Sequence, residues 1–442
     1  MLSAHLRGGC DLQALAKYFE LEQNGTTVRR ETLAGITTFL TMAYIVFVNP
    51  AILADAGMDR DAAFVATCLA AAFGSLLMGI LANYPIALAP GMGLNAFFTY
   101  TVVAQMGHSW QTALGVVFLS GIIFLLLSVF PVREWIVNSI PRALKMAISA
   151  GIGMFLAIIA LKSAGIVVDS PATLVQLGDL GQPAALFAAL GFFAMVAMDR
   201  LKVPGAILIA ILGITVIASL FGINKFSGIV STPPSLAPSF LQMDLATAFE
   251  LSLISIVFAF LFVDLFDTAG TLIGVAHRAG LLSENGRLPR LRGALLADSL
   301  ATVAGAALGT STTTSYIEST AGIRAGGRTG LTAIVVAILF LACLLLAPLA
   351  SSIPAYATAP ALLFVACMMA RGLAEINWED VTDYVPAVVT AIAMPLTFSI
   401  ATGIGIGFIT YAAVKVLSGR FQEAGPATLI LAVAFVLKFS FL

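Results

Sequence analysis

Asp264 and Asp267 stand in an unbroken apolar run, FAFLFVDLFDTAGTLIGVA, with no basic residue inside the run to neutralise either. An ionised carboxylate at mid-bilayer costs at least ~2.5 to 3.5 kcal/mol, so acids in such a run are functional candidates by default. Asp298, in LLADSLATVAG, and Glu318, in TSTTTSYIESTAG, pose the same problem. Four acids on three neighbouring segments point to a proton-linked pathway more than to a hydrophobic core. Asp264 and Asp267 are i,i+3, and Thr268 and Thr271 continue the stripe. One helix face therefore carries two acids and two hydroxyls, opposite Phe262, Leu265, Phe266 and Leu272. Asp264 has a plain alternative, a bond to a neighbouring helix's backbone, and Asp298 divides between helix-helix bonding and proton coupling. Taking up a proton removes the charge that burial penalises, which makes Asp264, Asp267 and Asp298 the candidates for carrying it. Asn49, before Pro50 in the first apolar run, is placed to bond either the Asp264 region or a ligand.

The elements that must position these groups are membrane spans. The 442 residues are 60% hydrophobic and only 10% charged, with a mean hydropathy of +1.02, far outside the range of soluble globular proteins. Runs long enough to cross about 30 Å of hydrocarbon recur from near 33 to near 370, with two shorter ones near 86–104 and 311–323. The first 32 residues are polar, carry Lys17, Arg29 and Arg30, and lack the pattern of a secretory signal, so the N-terminus is expected in the cytoplasm. Four scattered cysteines and three dispersed histidines, His5, His108 and His277, form no metal pattern. A net charge of −1 offers no basic field for nucleic acid.

Counting both short runs as crossings sorts the basic residues by side. Arg133, Arg142, Lys145, Arg200, Lys202, Arg278, Arg287, Arg290, Arg292, Arg324, Arg328 and Arg371 all fall on the N-terminal side, as the positive-inside rule requires, and only Arg60, Lys162 and Lys225 do not. Val385 to Leu417 is too long for one crossing and is interrupted by Pro395 and by Gly403, Gly405 and Gly407; reading it as two short spans returns Lys415 and Arg420 to the cytoplasm. Fourteen spans result, and Pro426 to Leu442 is left as either an interfacial helix or a further crossing. Two halves echo each other weakly, IVFVNPAILADAG to ILANYPIALAPGMGLNAFF and FLFVDLFDTAG to AGAALGTSTTTSYIESTAG. Seven spans per half make this an inverted repeat, a transporter plan with its site near the midplane.

The short runs are the odd elements. Thr310 to Tyr316 suits an extended strand, and exposed strand backbone cannot face lipid, so it must pair or line a cavity. Its natural partner is Tyr84 to Ala89, after which Pro90 and Gly91 suit a helix start. Two crossed half-helices, each entered from a short strand, are expected to meet mid-membrane. Ser315 and Glu318 have capping-box spacing, so Glu318 either caps a broken helix, contacts a ligand, or does both. Gly91, Gly93 and Asn95 lie on the facing half-helix, where glycine admits a flat ligand close to the backbone.

TLAGITTFLTMAYIVFVNPAILADAGM, PGMGLNAFF, DLFDTAGTLIGVA, ALLADSLATVAGAALGTSTTTSYIESTAGI and VPAVVTAIAMPLTFSIATGIGIGF together resemble the azaguanine-type purine permeases of the nucleobase:cation symporter-2 family, from about Gly25 to the C-terminus. The resemblance implies an all-α polytopic membrane protein with the fourteen-span nucleobase-ascorbate transporter fold, a 7+7 inverted repeat with short strands in spans 3 and 10. It divides the chain into a cytoplasmic segment (1–32), a core domain (33–131 and 241–350), a gate domain (132–240 and 351–420) and a hydrophobic tail (421–442). By the family pattern Asp267 and Glu318 bond the nucleobase. Gly93, Asn95, Phe97, Phe266, Thr271 and Thr314 complete the expected substrate-binding set, with Phe97, Phe98 or Phe266 stacking on the ring. Asp264, Asp298 and Asn49 are left for proton coupling or structure. The implied activity is secondary active transport, proton-coupled uptake of hypoxanthine, guanine or adenine across the plasma (inner) membrane, with the proton as coupling ion, no cofactor and no enzymatic step. Relatives with this fold often dimerise through the gate domain, which adds a homodimer to the expectations. Xanthine or uracil permeases and anion carriers of the same architecture are the alternatives. An intramembrane aspartyl protease is disfavoured, because each GxG here is followed by an apolar residue instead of aspartate.

Overall fold

The computed structural model describes residues 13, 16–129, 140–250, 253–279, 281 and 288–441, with backbone alone at 129, 266, 269–270, 273–274, 277–279 and 441. His5, Cys10, Arg133 and Arg287 lie outside the described residues, as do the side chains of Phe266, His277 and Arg278. In chain order the elements are α1 (Val28–Asp55, interrupted after Met42), α2 (Arg60–Ala82), β1 (Leu88–Pro90), α3 (Met92–Ala96, continued by a wider π-turn over Phe97–Gln105), α4 (Trp110–Val129) and α5 (Arg142–Ser163). Then come the hairpin β2 (Val167–Ser170) and β3 (Leu174–Leu177), α6 (Pro183–Arg200), α7 (Ala206–Leu220), α8 (Ile254–Ala279) and α9 (Leu291–Leu308). The remainder is β4 (Thr313–Ser315), α10 (Ser319–Arg324), α11 (Gly330–Ser351), α12 (Ala355–Glu375), α13 (Val381–Leu396), α14 (Ile400–Leu417) and α15 (Phe421–Phe441). Among the described residues ten helices are long and apolar enough to cross a membrane, and three shorter apolar ones accompany them.

Helix ends follow local chemistry. Asp59 accepts from the Ala62 N–H at 2.8 Å to open α2, and Asp380 and Ser399 do the same for α13 and α14. Arg60, one of the cations on the unexpected side, donates to the Ile353 carbonyl at 2.8 Å beyond the end of α11. Glu31 is fully buried, yet its carboxylate accepts from the N–H groups of Arg328 (2.9 Å) and Thr329 (3.2 Å) and from the Thr332 hydroxyl (2.6 Å), which caps the start of α11.

The strand pairing expected between the two broken segments is present but narrower. β1 and β4 run antiparallel with Leu88 opposite Ser315, Ala89 opposite Thr314 and Pro90 opposite Thr313, so only the inner parts of Tyr84–Ala89 and Thr310–Tyr316 extend, and Pro90 joins the strand. Two side chains close the outer edges in matching fashion. Ser75 of α2 exchanges hydrogen bonds with the Leu88 N–H and carbonyl at 3.0 Å each, and Thr302 of α9 does so with Thr313 at 3.3 and 3.0 Å. Hydroxyls thus supply what a strand inside a membrane protein otherwise lacks. Gly309 ends α9 at φ 99°, a left-handed turn that delivers the chain to β4, and any Cβ there would run into Ser239.

Residues 385–417 form two helices, α13 and α14, reversed through a turn at 397–399. The undecided tail is the helix α15, kinked at Gly425, which folds back along α14: Phe408 stacks on Phe435 at 6.2 Å, and Gly405 faces Phe435 and Phe439. Where α13, α14 and α15 meet, Lys415 is 1% exposed and pairs with Asp383 at 2.8 Å and Glu423 at 2.9 Å, while Arg420 pairs with Asp380 at 2.6 Å and Glu423 at 2.7 Å.

Candidate functional site

The acids gather where β1 and β4 cross, beside α8. Asp264 (1% exposed) and Asp298 (0%) are sealed, whereas Asp267 and Glu318 keep open surface. The i,i+3 spacing on α8 therefore points its two acids into different surroundings. Thr268 is the hub on the sealed side. Its hydroxyl lies 3.0 Å from Asp298 Oδ1, 3.3 Å from Asp264 Oδ1 and 2.8 Å from the Thr314 hydroxyl, so α8, α9 and β4 share one polar knot. Asp267 has as electrostatic neighbours both the sealed Asp298 and the open Glu318, and so stands between the two sides. A Cβ built on Gly91 would stand 2.6 Å from the Thr314 methyl and at an ordinary 3.7 Å from Asp267 Oδ2, so the glycine makes room for Thr314 beside the acid. No salt bridge reaches Asp267 or Glu318 among the described residues.

Glu318 does not use the capping-box geometry its spacing allowed. Ser315 ends β4, and Glu318 is itself the residue that precedes α10, making no side-chain cap. Its carboxylate instead accepts from the Tyr44 hydroxyl at 2.6 Å. Tyr44, in the interruption of α1, was not singled out from the sequence. A tyrosine in an apolar run reads as core, and its partner lies 274 positions away. Tyr316 donates to the Pro90 carbonyl at 2.6 Å and pins the strand crossing from within.

Asn49 is not joined to the Asp264 region. Its amide donates to the hydroxyls of Thr67 (2.7 Å) and Thr310 (2.9 Å), which commits that group to tying α1 to α2 and to the entry of β4, while its carbonyl oxygen is buried without a partner among the described residues. Asn95 accepts from Ser311, and its amide nitrogen is buried without a partner among the described residues. Gly93 faces α5: a Cβ there would meet the Ile152 methyl at 2.5 Å, so this glycine serves helix approach. Phe97 is fully buried and edge-on to Phe260 at 4.9 Å; Phe98 is fully buried as well. Thr271 is partly exposed one turn beyond Asp267, Thr314 is buried in the polar knot, and the Phe266 side chain lies outside the described residues. Among the described residues no group of His, Cys, Asp and Glu is arranged to hold a metal.

Comparison with known proteins gives the geometry its context. The transmembrane domain of the cyanobacterial bicarbonate transporter BicA superposes with a TM-score of 0.66 at 17% identity, covering 84% of this chain and 96% of that one, a likeness of fold. The adenine permease AdeP of Escherichia coli is 48% identical over 428 residues, 97% of this chain and 96% of its own. The guanine/hypoxanthine permease PbuG of Bacillus subtilis is 46% identical over 437 residues, 96% and 99% of the two chains. A model of the Permease family, Xan_ur_permease, matches residues 29–406. With a helical transporter fold around a polar strand crossing, and relatives matched nearly end to end, this chain is a multi-pass membrane transporter, not an enzyme, and belongs to the Xan_ur_permease family of nucleobase:cation symporter-2 permeases.

Proposed function

We propose that this permease takes up purine nucleobases, hypoxanthine, guanine or adenine, together with protons across the plasma membrane, with its N-terminus in the cytoplasm. The observation that carries the reading is the pair Asp267 and Glu318, partly exposed acids with no cation partner among the described residues, one inside α8 and the other just before α10, beside the strand crossing. A neutral purine offers ring N–H donors that a carboxylate accepts, and half-helix amides answer its carbonyl or ring nitrogens. Relatives named for adenine and for guanine and hypoxanthine support the same ligand class. An anion would meet two carboxylates at this opening, and like charges repel. The sealed pair, Asp264 and Asp298, is the proposed address of the proton, since a neutral knot lets the carrier close without a bare charge mid-membrane. Motion of a core domain against a gate domain, over fourteen crossings, completes the cycle, and a second copy packing through the gate is the proposed assembly.

Uptake of labelled hypoxanthine into cells stripped of their own permeases tests this directly. Uptake should be saturable, displaced by guanine or adenine, and collapsed by a protonophore. Displacement by xanthine or uracil alone would move the chain to a sister specificity, and uptake indifferent to the protonophore would remove the proton.

A further inference from the structure

We propose that Tyr44 is a positioning residue for Glu318, fixing which oxygen of the carboxylate meets the substrate; the inference rests on reading Glu318 as a purine-binding acid. Glu318 stands at a junction, one residue past the Tyr316–Ile317 link from β4 and one before α10, and makes no cap to that helix. A glutamate there has three rotatable bonds and several rotamers within reach. Tyr44 removes that freedom. It is 0% exposed, so its ring is fixed by packing, and its hydroxyl donates to Glu318 Oε1 at 2.6 Å, a short charge-assisted bond. The neighbouring Thr41 hydroxyl donates to the Thr38 carbonyl at 2.7 Å and lies 3.4 Å from the Glu318 carbonyl, so the segment around the interruption of α1 packs against this acid. With Oε1 engaged by the phenol, Oε2 is the acceptor presented to a ligand N–H. The donor on the first half of the chain thereby sets the acceptor geometry of the second.

Tyr44→Phe keeps the ring and deletes only the hydroxyl. Expected is a rise in the KM for labelled hypoxanthine of about ten-fold or more, the effect of losing one hydrogen bond to a charged group, with the maximal rate per transporter in the membrane within about two-fold. A purely structural tyrosine would lower the amount of protein and leave KM alone. Binding of labelled hypoxanthine to purified protein, normalised to monodisperse material, removes expression from the comparison. Glu318→Gln should weaken binding, and in Glu318→Ala, which removes the acceptor of the Tyr44 hydroxyl altogether, adding Tyr44→Phe should weaken binding no further. If Tyr44→Phe leaves KM and Kd within two-fold while Glu318→Gln weakens binding, the positioning inference is overturned. If Glu318→Gln itself binds normally, the substrate reading of the site has failed instead.

Discussion

Two clusters of acids in this permease are built on opposite principles. At the meeting of α13, α14 and α15 every carboxylate has a cation: Asp380, Asp383 and Glu423 are held by Lys415 and Arg420 within 2.9 Å. At the strand crossing, Asp267 and Glu318 have none among the described residues, and their polar neighbours are tyrosine, threonine and further acids. Glu31 marks a third way, a buried acid answered entirely by a helix start and a threonine. Where an acid is structural the fold supplies its counter-charge or its full set of donors. Where it is left half-answered, the proposed function has a ligand bring the missing donors.

The comparison breaks most readily at the open pair. Asp267→Asn or Glu318→Gln should abolish purine uptake while the protein reaches the membrane in normal amount; normal transport by both variants would sink the site. Lys415→Ala should act in reverse, lowering the thermal midpoint with little change in KM. Its cost is about 2 kcal/mol, below the ~3 to 5 of a fully buried pair, because Asp383 and Glu423 retain 25% and 46% exposure and solvent screens what is left. For the sealed pair, Asp298→Asn or Asp264→Asn should preserve exchange of labelled for unlabelled purine and lose accumulation. One proton moving down ~100 mV supplies about 2.3 kcal/mol, somewhat under two decades of gradient, and a variant that still accumulates purine would move the proton elsewhere. Thr268→Val, which unties the knot, should cost about 1 kcal/mol or slightly more in stability, read from the unfolding midpoint in detergent. The smallest effect is at the paired cluster. The Thr382 hydroxyl and then Arg420 hold the Asp380 carboxyl well below the usual carboxylate range. A carboxyl so depressed contributes stability above its unfolded value, ~3.9, and loses it as pH falls through the folded one. A midpoint that is flat from neutral pH down to the unfolded carboxylate range and declines only below it is the expected profile.

The acids, the broken segments and the division of 385–417 into two spans were legible because each departs from the pattern around it. Charge in an apolar run, hydroxyls in place of a helix and a run too long for one crossing all leave a local trace, although of the interruptions in that run Pro395 lies near the turn and Gly403, Gly405 and Gly407 lie inside α14. What surrounds the acids was not legible. Tyr44 and Phe97 look alike in sequence, two aromatics in apolar runs, yet one donates to Glu318 and the other packs edge-on against Phe260. The capping-box spacing at Ser315 misled because the strand runs through Ser315 itself and the helix begins only after Glu318. Gly91 and Gly93 share one motif, but the first makes room for Thr314 beside Asp267 and the second for Ile152 of α5. Lys415 and Arg420 served in the sequence as markers of side. Their five-membered ion network needed three helices to be brought together.

The pairing of β1 with β4 also dictates an order of assembly. The bond from Tyr316 to the Pro90 carbonyl joins residues 226 positions apart, so the backbone around Pro90 enters the bilayer long before its partner has been synthesised. Until then that carbonyl and its neighbours must borrow donors from water or from the insertion machinery, since lipid offers none. Non-local pairing of this kind is slow to form. The centre of the transporter therefore cannot close before Tyr316 has been made, and a chain that stalls between the two strands is left with an unfinished seam inside the membrane.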